Sequence, residues 1–400
     1  MITSSKRLRA ILFLALLCPA GVAAQTQPTI TWHGEVRPRF ETRESAAGSR
    51  EFVTSMRTRI ALDAMTESGL RLFIQPQDVR DWGEEINERD KVADAVDFHQ
   101  AFLEVGRLPA LGGLVRVGRQ EVALAEERFL GAPDWGQAGQ TFDGVLWTRT
   151  SQDSRLDAVY LKLQESLAPA HQHDADLLAV WYVLPPTGVG SVELLGIRNR
   201  VLEPGPTQQN TAGGIWKGTS GPFSFRAQGM FQFGTRDGRD VEAFMLAGLA
   251  GLSVLDGRGS VTLWYDYLSG NSDPGDDKVQ VFTTLYSARN RYYGRADYFT
   301  DIPAHTGGLG LQDAALKLSF RPTGALALNL DIHSFRTAEP GNLSSRRLAE
   351  EVDAWARYRF RQHLTLQGGF SLIWGGPAME ELGRLDGRGE FVYVMTSVRF

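Results

Sequence analysis

From Ile30 to the carboxy terminus, apolar and polar residues alternate with a period of two. Between Ala327 and Phe335, Leu328, Leu330 and Ile332 alternate with Asn329, Asp331 and His333. Between Phe223 and Phe233, Phe223, Phe225, Ala227, Phe231 and Phe233 alternate with Ser224, Arg226, Gln228, Met230 and Gln232. Between Glu351 and Phe360, Val352, Ala354, Ala356, Tyr358 and Phe360 oppose Glu351, Asp353, Trp355, Arg357 and Arg359. Successive side chains of a strand point to opposite faces, so each segment predicts a strand with one face on an apolar medium and the other on water. Eighteen such segments occur, near 30–41, 52–66, 70–80, 97–105, 113–121, 140–149, 154–164, 174–184, 190–200, 210–217, 223–233, 240–253, 259–269, 309–320, 326–335, 347–359, 363–374 and 391–400.

The connections alternate in length. Short turns fall at 67–69, 106–112, 150–153, 185–189, 218–222, 256–258, 321–324 and 361–362. Between them lie longer polar links, rich in glycine, at 42–51, 81–96, 122–139, 270–308, 336–346 and 375–390, with intermediate ones at 165–173, 201–209 and 234–239. Bacterial outer-membrane barrels have short periplasmic turns, longer external loops and lipid-facing apolar residues at every second position. A soluble sandwich would show fewer, shorter strands with an apolar inner face. Here the second face carries many Arg, Asp, Glu and Gln residues. The predicted fold is all-β, a transmembrane antiparallel β-barrel of about 18 strands forming one domain over 25–400. The chain supplies about 21 residues per strand and connection, enough for strands of about ten residues tilted across a bilayer.

The two ends agree with this. Lys6, Arg7 and Arg9 precede the apolar run Ala10–Leu17, and Val22-Ala23-Ala24 offers small residues for cleavage, so 1–24 reads as a signal peptide. The run is too short to cross a bilayer as a helix. The single cysteine, Cys18, lies within it, which leaves no disulfide and no thiolate metal site in the mature chain. The final segment, FVYVMTSVRF, puts Val392, Val394, Thr396, Val398 and Phe400 on one face. An ending of this kind resembles the signal read by the bacterial barrel-assembly machinery. That machinery and outer-membrane lipid are the expected partners. A closed barrel has no strand edge that demands a partner, so a monomer is expected.

Composition refines the picture. The mean hydropathy of −0.22 is that of a soluble protein, but a barrel confines its apolar surface to alternate residues. Without the three leader cations, 39 Lys+Arg stand against 47 Asp+Glu, a net charge of −8. Only five of these cations are lysines, and Arg carries the planar fork that grips carboxylates. The absence of a basic tail or stripe argues against nucleic acid. The seven histidines (His33, His99, His171, His173, His305, His333, His363) are scattered, and no Gly-x-Ser-x-Gly elbow exists. The pair His171/His173 lies in a link, and Asp273–Asp277 lacks EF-hand spacing. No cofactor, metal site or enzymatic activity is expected. Trp32, Trp181, Trp264 and Trp374 read as interfacial or wall residues.

Several motifs resemble the alginate export family of outer-membrane proteins. They are Gln75–Gly83 (QPQDVRDWG), Asp97–Glu104 (DFHQAFLE), Val117–Glu121 (VGRQE), Arg128–Gly131 (RFLG) with Asp134-Trp135, and Phe142–Val145 (FDGV). Tyr265–Gly270 (YDYLSG) and Tyr293-Gly294 with Asp297 extend the similarity, in order, over most of the mature chain. The resemblance implies a monomeric 18-stranded barrel whose pore is narrowed by in-folded loops and lined by arginines balanced by a few aspartates. It also implies export of a polyuronate, an anionic polysaccharide. This chain is shorter than that exporter, and its last strand offers Arg399, Ser397 and Met395 to the lumen without an aspartate.

If the apolar set of each strand faces lipid, the other set is the pore wall. That places Arg37, Arg39, Arg57, Arg59, Arg226, Lys317, Arg357, Arg359 and Arg399 inside. A bulge at Gly118 would turn Arg119 inward, and Arg128 lies on a loop able to fold into the pore. The acidic residues Glu35, Asp143, Asp266, Asp331, Glu351 and Asp353 are expected to pair with some of these cations. Cations spaced along a wall suit an anionic permeant. The expected function is therefore an outer-membrane channel for an anionic or polar solute. The alternatives are a general or nutrient-uptake porin and, from another class, an enzyme at the barrel rim.

Overall fold

The computed structural model describes residues 27–44, 49–83, 96–106, 108, 112–165, 174–202, 205–273 and 275–400. The expected signal peptide, Cys18, His171 and His173 lie outside them. The strands are β1 (Thr29–Glu44), β2 (Arg50–Met65), β3 (Leu70–Asp81), β4 (Asp97–Gly106), β5 (Leu114–Gln120), β6 (Phe142–Thr150) and β7 (Arg155–Gln164). They continue as β8 (Ala175–Val183), β9 (Ser191–Val201), β10 (Thr207–Ser220), β11 (Phe223–Arg236), β12 (Arg239–Val254) and β13 (Gly259–Leu268). After the two-residue β14 (Lys278–Val279) come β15 (Leu311–Phe320), β16 (Leu326–Arg336), β17 (Arg347–Arg359), β18 (Leu364–Gly375) and β19 (Arg388–Arg399). All but β14 pair antiparallel with their neighbours, and β19 pairs with β1, so the sheet closes into a barrel of 18 strands. The tiny β14 pairs parallel with β12 beyond the end of β13.

Each of the eighteen expected segments is a barrel strand. Two of the three intermediate links shrink: β9 and β10 are joined by 202–206, and β11 and β12 by the two residues Asp237-Gly238. At the seam, Gly34 and Phe400 exchange both backbone hydrogen bonds, at 2.7 and 3.1 Å. The Phe400 ring lies over Gly34, where a β-carbon would come within 2.2 Å of it. The outer face carries a belt of exposed large apolar side chains, among them Trp32, Leu194, Phe231, Leu246, Phe370 and Trp374. Trp32 and Trp374 thus lie on the lipid face, whereas Trp181 and Trp264 point inward and pack on the interior cluster. No described helix is long and apolar enough to cross a membrane; the crossing is made by strands.

The interior is not uniformly wet. On β6 to β9 an inward stretch is apolar: Phe142 and Leu146, Val159 and Leu161, Leu177 and Ala179, Leu195 and Ile197. They form one core with Leu124, Phe129 and Leu130 of the 121–141 loop and Phe282, Tyr292 and Phe299 of the 269–310 loop. Both loops are therefore folded into the barrel and seated on an apolar stretch of its inner wall. Short-range pairing joins them: the amides of Tyr286 and Ala288 donate to the carbonyls of Phe129 and Glu127, each at 2.9 Å.

Candidate functional site: an arginine-clamped lumen

The inward positions of β1 and β2 carry Arg37, Arg39, Arg57 and Arg59, all at most 6% exposed. What buries them is the returning limb of the 121–141 loop. Arg37 donates to the carbonyls of Asp134 and Gly136 (both 2.6 Å), Arg39 to that of Trp135 (2.6 Å), Arg57 to that of Gln137 (3.2 Å) and Arg59 to that of Ala138 (3.0 Å). The Asp134 carboxylate lies within 3.5 Å of the guanidiniums of Arg37, Arg57, Arg59 and Arg399. Glu35 takes Arg57 at 2.5 Å and Arg399 at 2.9 Å. Burial pushes the Asp134 carboxyl up, but Arg57, Arg37 and Arg59 outweigh it and hold the group below the usual aspartate range.

The other end of this loop is held on the far wall. Glu126 meets Lys217 of β10 at 2.8 Å and Arg226 of β11 at 2.6 Å. Its burial is likewise outweighed by these cations, so its carboxyl stays ionised below the ordinary value. Arg128 is fully buried, is hydrogen-bonded to Asp266 of β13, and lies 4.2 Å from the centre of the Tyr292 ring. Burial alone would favour the neutral guanidine, but the Asp266 charge raises its proton affinity above the ordinary value.

The 269–310 loop is held by the opposite chemistry. Carboxylates on β17 accept its amides: Glu351 from Ala296 (2.9 Å) and Asp353 from Arg295 (3.2 Å). The turn at Gly294 has φ +79°, and a β-carbon there would stand 2.4 Å from the Glu351 carboxylate, so glycine lets the carboxylate approach the chain. Asp297 accepts from the Trp135 indole at 3.3 Å and faces Arg43 at 3.7 Å. Burial raises its carboxyl to about 6, against the pull of Arg43, Trp135, Arg39 and Arg295.

Below the crossed loops, toward the short turns, lies an open vestibule of about 880 Å³. Among the described residues its lining holds eight arginine or lysine side chains and four carboxylates, a surplus of four positive charges. Arg357 and Arg359 of β17 are exposed there and form no ion pair among the described residues. Arg295 stacks on Trp355 at 3.8 Å. Lys317 is held by Asp331 at 2.7 Å and contacts His333, which is backed by buried Asp313. Trp264 and Tyr292 complete an aromatic side of the chamber.

The expected wall residues therefore divide. Arg37, Arg39, Arg57, Arg59, Arg128, Arg226 and Asp266 clamp the 121–141 loop. Lys317, Asp353, Arg357, Arg359 and Arg399 line the vestibule, as do the clamp residues Arg37 and Arg226. Glu351 and Asp353 take backbone amides where arginine partners were expected. Arg119 and Asp143 do not face the pore. Pairing through β4, β5 and β6 is continuous at Gly118, without a bulge, so Arg119 stays on the lipid-side parity of Val117 and pairs with Asp143 (2.9 Å) and Asp97 (3.3 Å) on the outside. Trp355 faces the vestibule as its parity implies, whereas Arg291, Arg295 and the hub role of Asp134 are not among the expected wall features. Their signal was the apolar residues Phe129, Leu130, Tyr292, Tyr293 and Phe299 inside otherwise polar links, which mark loops that fold inward.

Residues 25–384 match the alginate export family. No curated protein matches the chain by sequence. Among solved structures the chain is similar to OpdL of Pseudomonas aeruginosa (TM-score 0.66, 14% identity, 93% of this chain and 98% of that one). It is also similar to the outer membrane protein OprD of the same organism (0.65, 12%, 94% and 96%) and to OccAB3 of Acinetobacter baumannii (0.62, 11%, 93% and 99%). At these identities the likeness speaks for the barrel alone. Family and fold together place the chain in the bacterial outer membrane as a porin-like channel, and it belongs to the alginate export family.

Proposed function

We propose that the barrel conducts anionic solutes and that the vestibule is its selective compartment. The observation that carries this is the pair Arg357 and Arg359, solvent-open, facing the lumen and unmatched by carboxylates. Cations that are free exchange a passing anion from fork to fork, and each contact releases because water competes for it. The clamped arginines of β1 and β2 are already spent on the loop and add field rather than contacts. Indole faces of Trp264 and Trp355 beside these cations suit sugar rings bearing carboxylates, so a uronate-containing saccharide is the favoured permeant. A planar bilayer separating unequal KCl solutions measures the preference. Anion selectivity is expected, and the Arg357→Glu/Arg359→Glu double variant should shift the reversal potential toward the cation limit. Cation selectivity in the unaltered channel would overturn the reading.

A second reading, uptake of small nutrients, is favoured by one observation. Two loops pack into a core whose Phe129, Phe282, Tyr292 and Phe299 are at most 1% exposed, a tight filling for a passage serving a long polymer. Single-channel current in the presence of oligouronates separates the two. Length-dependent block supports the saccharide; block by small organic anions alone supports the porin.

A further inference from the structure

The lipid-facing side of the barrel carries an uneven charge pattern near its loop ends. Outward cations there are matched by carboxylates: Arg80 by Asp78 (2.7 Å), Arg119 by Asp97 and Asp143, Lys162 by Asp174 and Asp176 (3.2 and 3.3 Å), Lys278 by Glu242 (2.7 Å). Two are not. Arg198 and Arg200 of β9 are exposed on the outer parity, alternate with inward Ile197 and Asn199, and form no ion pair or hydrogen bond among the described residues. Their cross-strand neighbours are Leu178 and Asn210 for Arg198, Asp176 and Gln208 for Arg200. Asp176 is already engaged by Lys162 and by the Tyr160 hydroxyl at 2.7 Å.

Directly below them the outer wall is hollowed. Gly196 pairs with Ala212, Gly214 with Gly229, and Ala227 with Gly248, a diagonal of side chains no larger than methyl across β9 to β12. Its lower stretch, over Gly214, Ala227, Gly229 and Gly248 with Trp216, Leu246 and Tyr265 at its margins, each between 46 and 56% exposed, encloses about 620 Å³, and the Leu194 side chain flanks Gly214. Gly196, the upper end of the small-residue diagonal, lies outside that volume and is two residues from Arg198 on the same face of the same strand. An apolar furrow capped by two free guanidiniums is complementary to an amphiphile with an acyl chain and an anionic head.

We propose that this furrow seats one acyl chain of the phosphorylated glycolipid of the outer leaflet, with its phosphate held by Arg198 and Arg200. The loop ends of an outer-membrane barrel face that leaflet. A charge on the lipid face is costly at the bilayer midplane but not at the interface, where a phosphate replaces lost water. The guanidinium fork matches phosphate oxygens in pairs.

Native mass spectrometry of the full mature chain, purified from outer membranes and then titrated with lipid A, tests the site. One phosphorylated glycolipid adduct is expected to survive mild activation. Arg198→Ala/Arg200→Ala should lower its occupancy about tenfold or more, the scale of a lost charge-assisted hydrogen bond. Gly229→Leu, whose β-carbon meets only the Leu246 side chain at ordinary distance and whose isobutyl group occupies the furrow, should lower it as well. Both variants should keep unaltered single-channel conductance, because the altered residues face away from the pore. Equal occupancy in all three proteins overturns the proposal. So does equal binding of dephosphorylated lipid A by the unaltered chain, an arm that depends on no variant, and so does preferential retention of an ordinary phospholipid.

Discussion

Four guanidiniums converge on Asp134, and two of them share Glu35 as a second acceptor. Arg57 is the most buried member and touches both carboxylates, so its loss leaves Glu35 without one of its two cations inside the wall. Arg57→Gln should cost about 3–5 kcal/mol, the range for breaking a buried pair, read as a lower unfolding midpoint in denaturant. The 121–141 loop should also loosen, giving larger and noisier single-channel currents. Asp297 gives the lumen a pH response. Its carboxyl, raised to about 6, stands above the ordinary aspartate value of about 3.9, so the fold favours the neutral form. Stability from this group is complete in acid and is lost as the pH rises through about 6. Arg39 and Arg43 of β1, Arg295 and Trp135 of the two loops, and Glu351 of β17 surround it. Acidifying from pH 7 to 5 removes one negative charge from the constriction, so anion preference should rise with a midpoint near 6, and Asp297→Asn should abolish that pH step.

At the level of strands and loops, alternation was legible wherever one face met lipid and the other met water. It faded on β7 to β9, where Leu161, Leu177 and Ile197 face inward yet lie beneath the loops, so both parities are apolar. Their inward burial is decided by a distant segment, which local periodicity does not encode. The same limit hid the roles of the arginines. Parity tells that Arg37 and Arg357 point into the lumen, but only the path of the 121–141 loop makes one a clamp and leaves the other open. Arg119 shows the reverse error: strict parity was right, and the bulge invoked to override it does not occur. If the loops rest on this apolar seat, Leu161→Ala should destabilise the protein by about 2–5 kcal/mol. Limited proteolysis should then cut within 121–141 before any barrel strand.

For the barrel as a whole, closure depends on the seam between β1 and β19, where Phe400 contributes two backbone hydrogen bonds and a ring seated on Gly34. Removing the Phe400 ring in Phe400→Ala is expected to weaken the seam, seen as a reduced fraction of the compact, heat-modifiable band in membranes, while Phe400→Trp keeps an aromatic ring for Gly34. The loops inside that barrel are fastened in a particular manner: Arg37, Arg39, Arg57 and Arg59 reach main-chain carbonyls, and Glu351 and Asp353 reach main-chain amides. Such fastenings are blind to the loop's own side chains apart from the moored ones, Glu126, Arg128 and Asp134. A lineage can therefore rewrite what the loops display to a permeant while leaving the moorings untouched, so one scaffold can change cargo by drift in a few exposed letters. Grafting a relative's loop of equal length onto these strands should carry its selectivity with it.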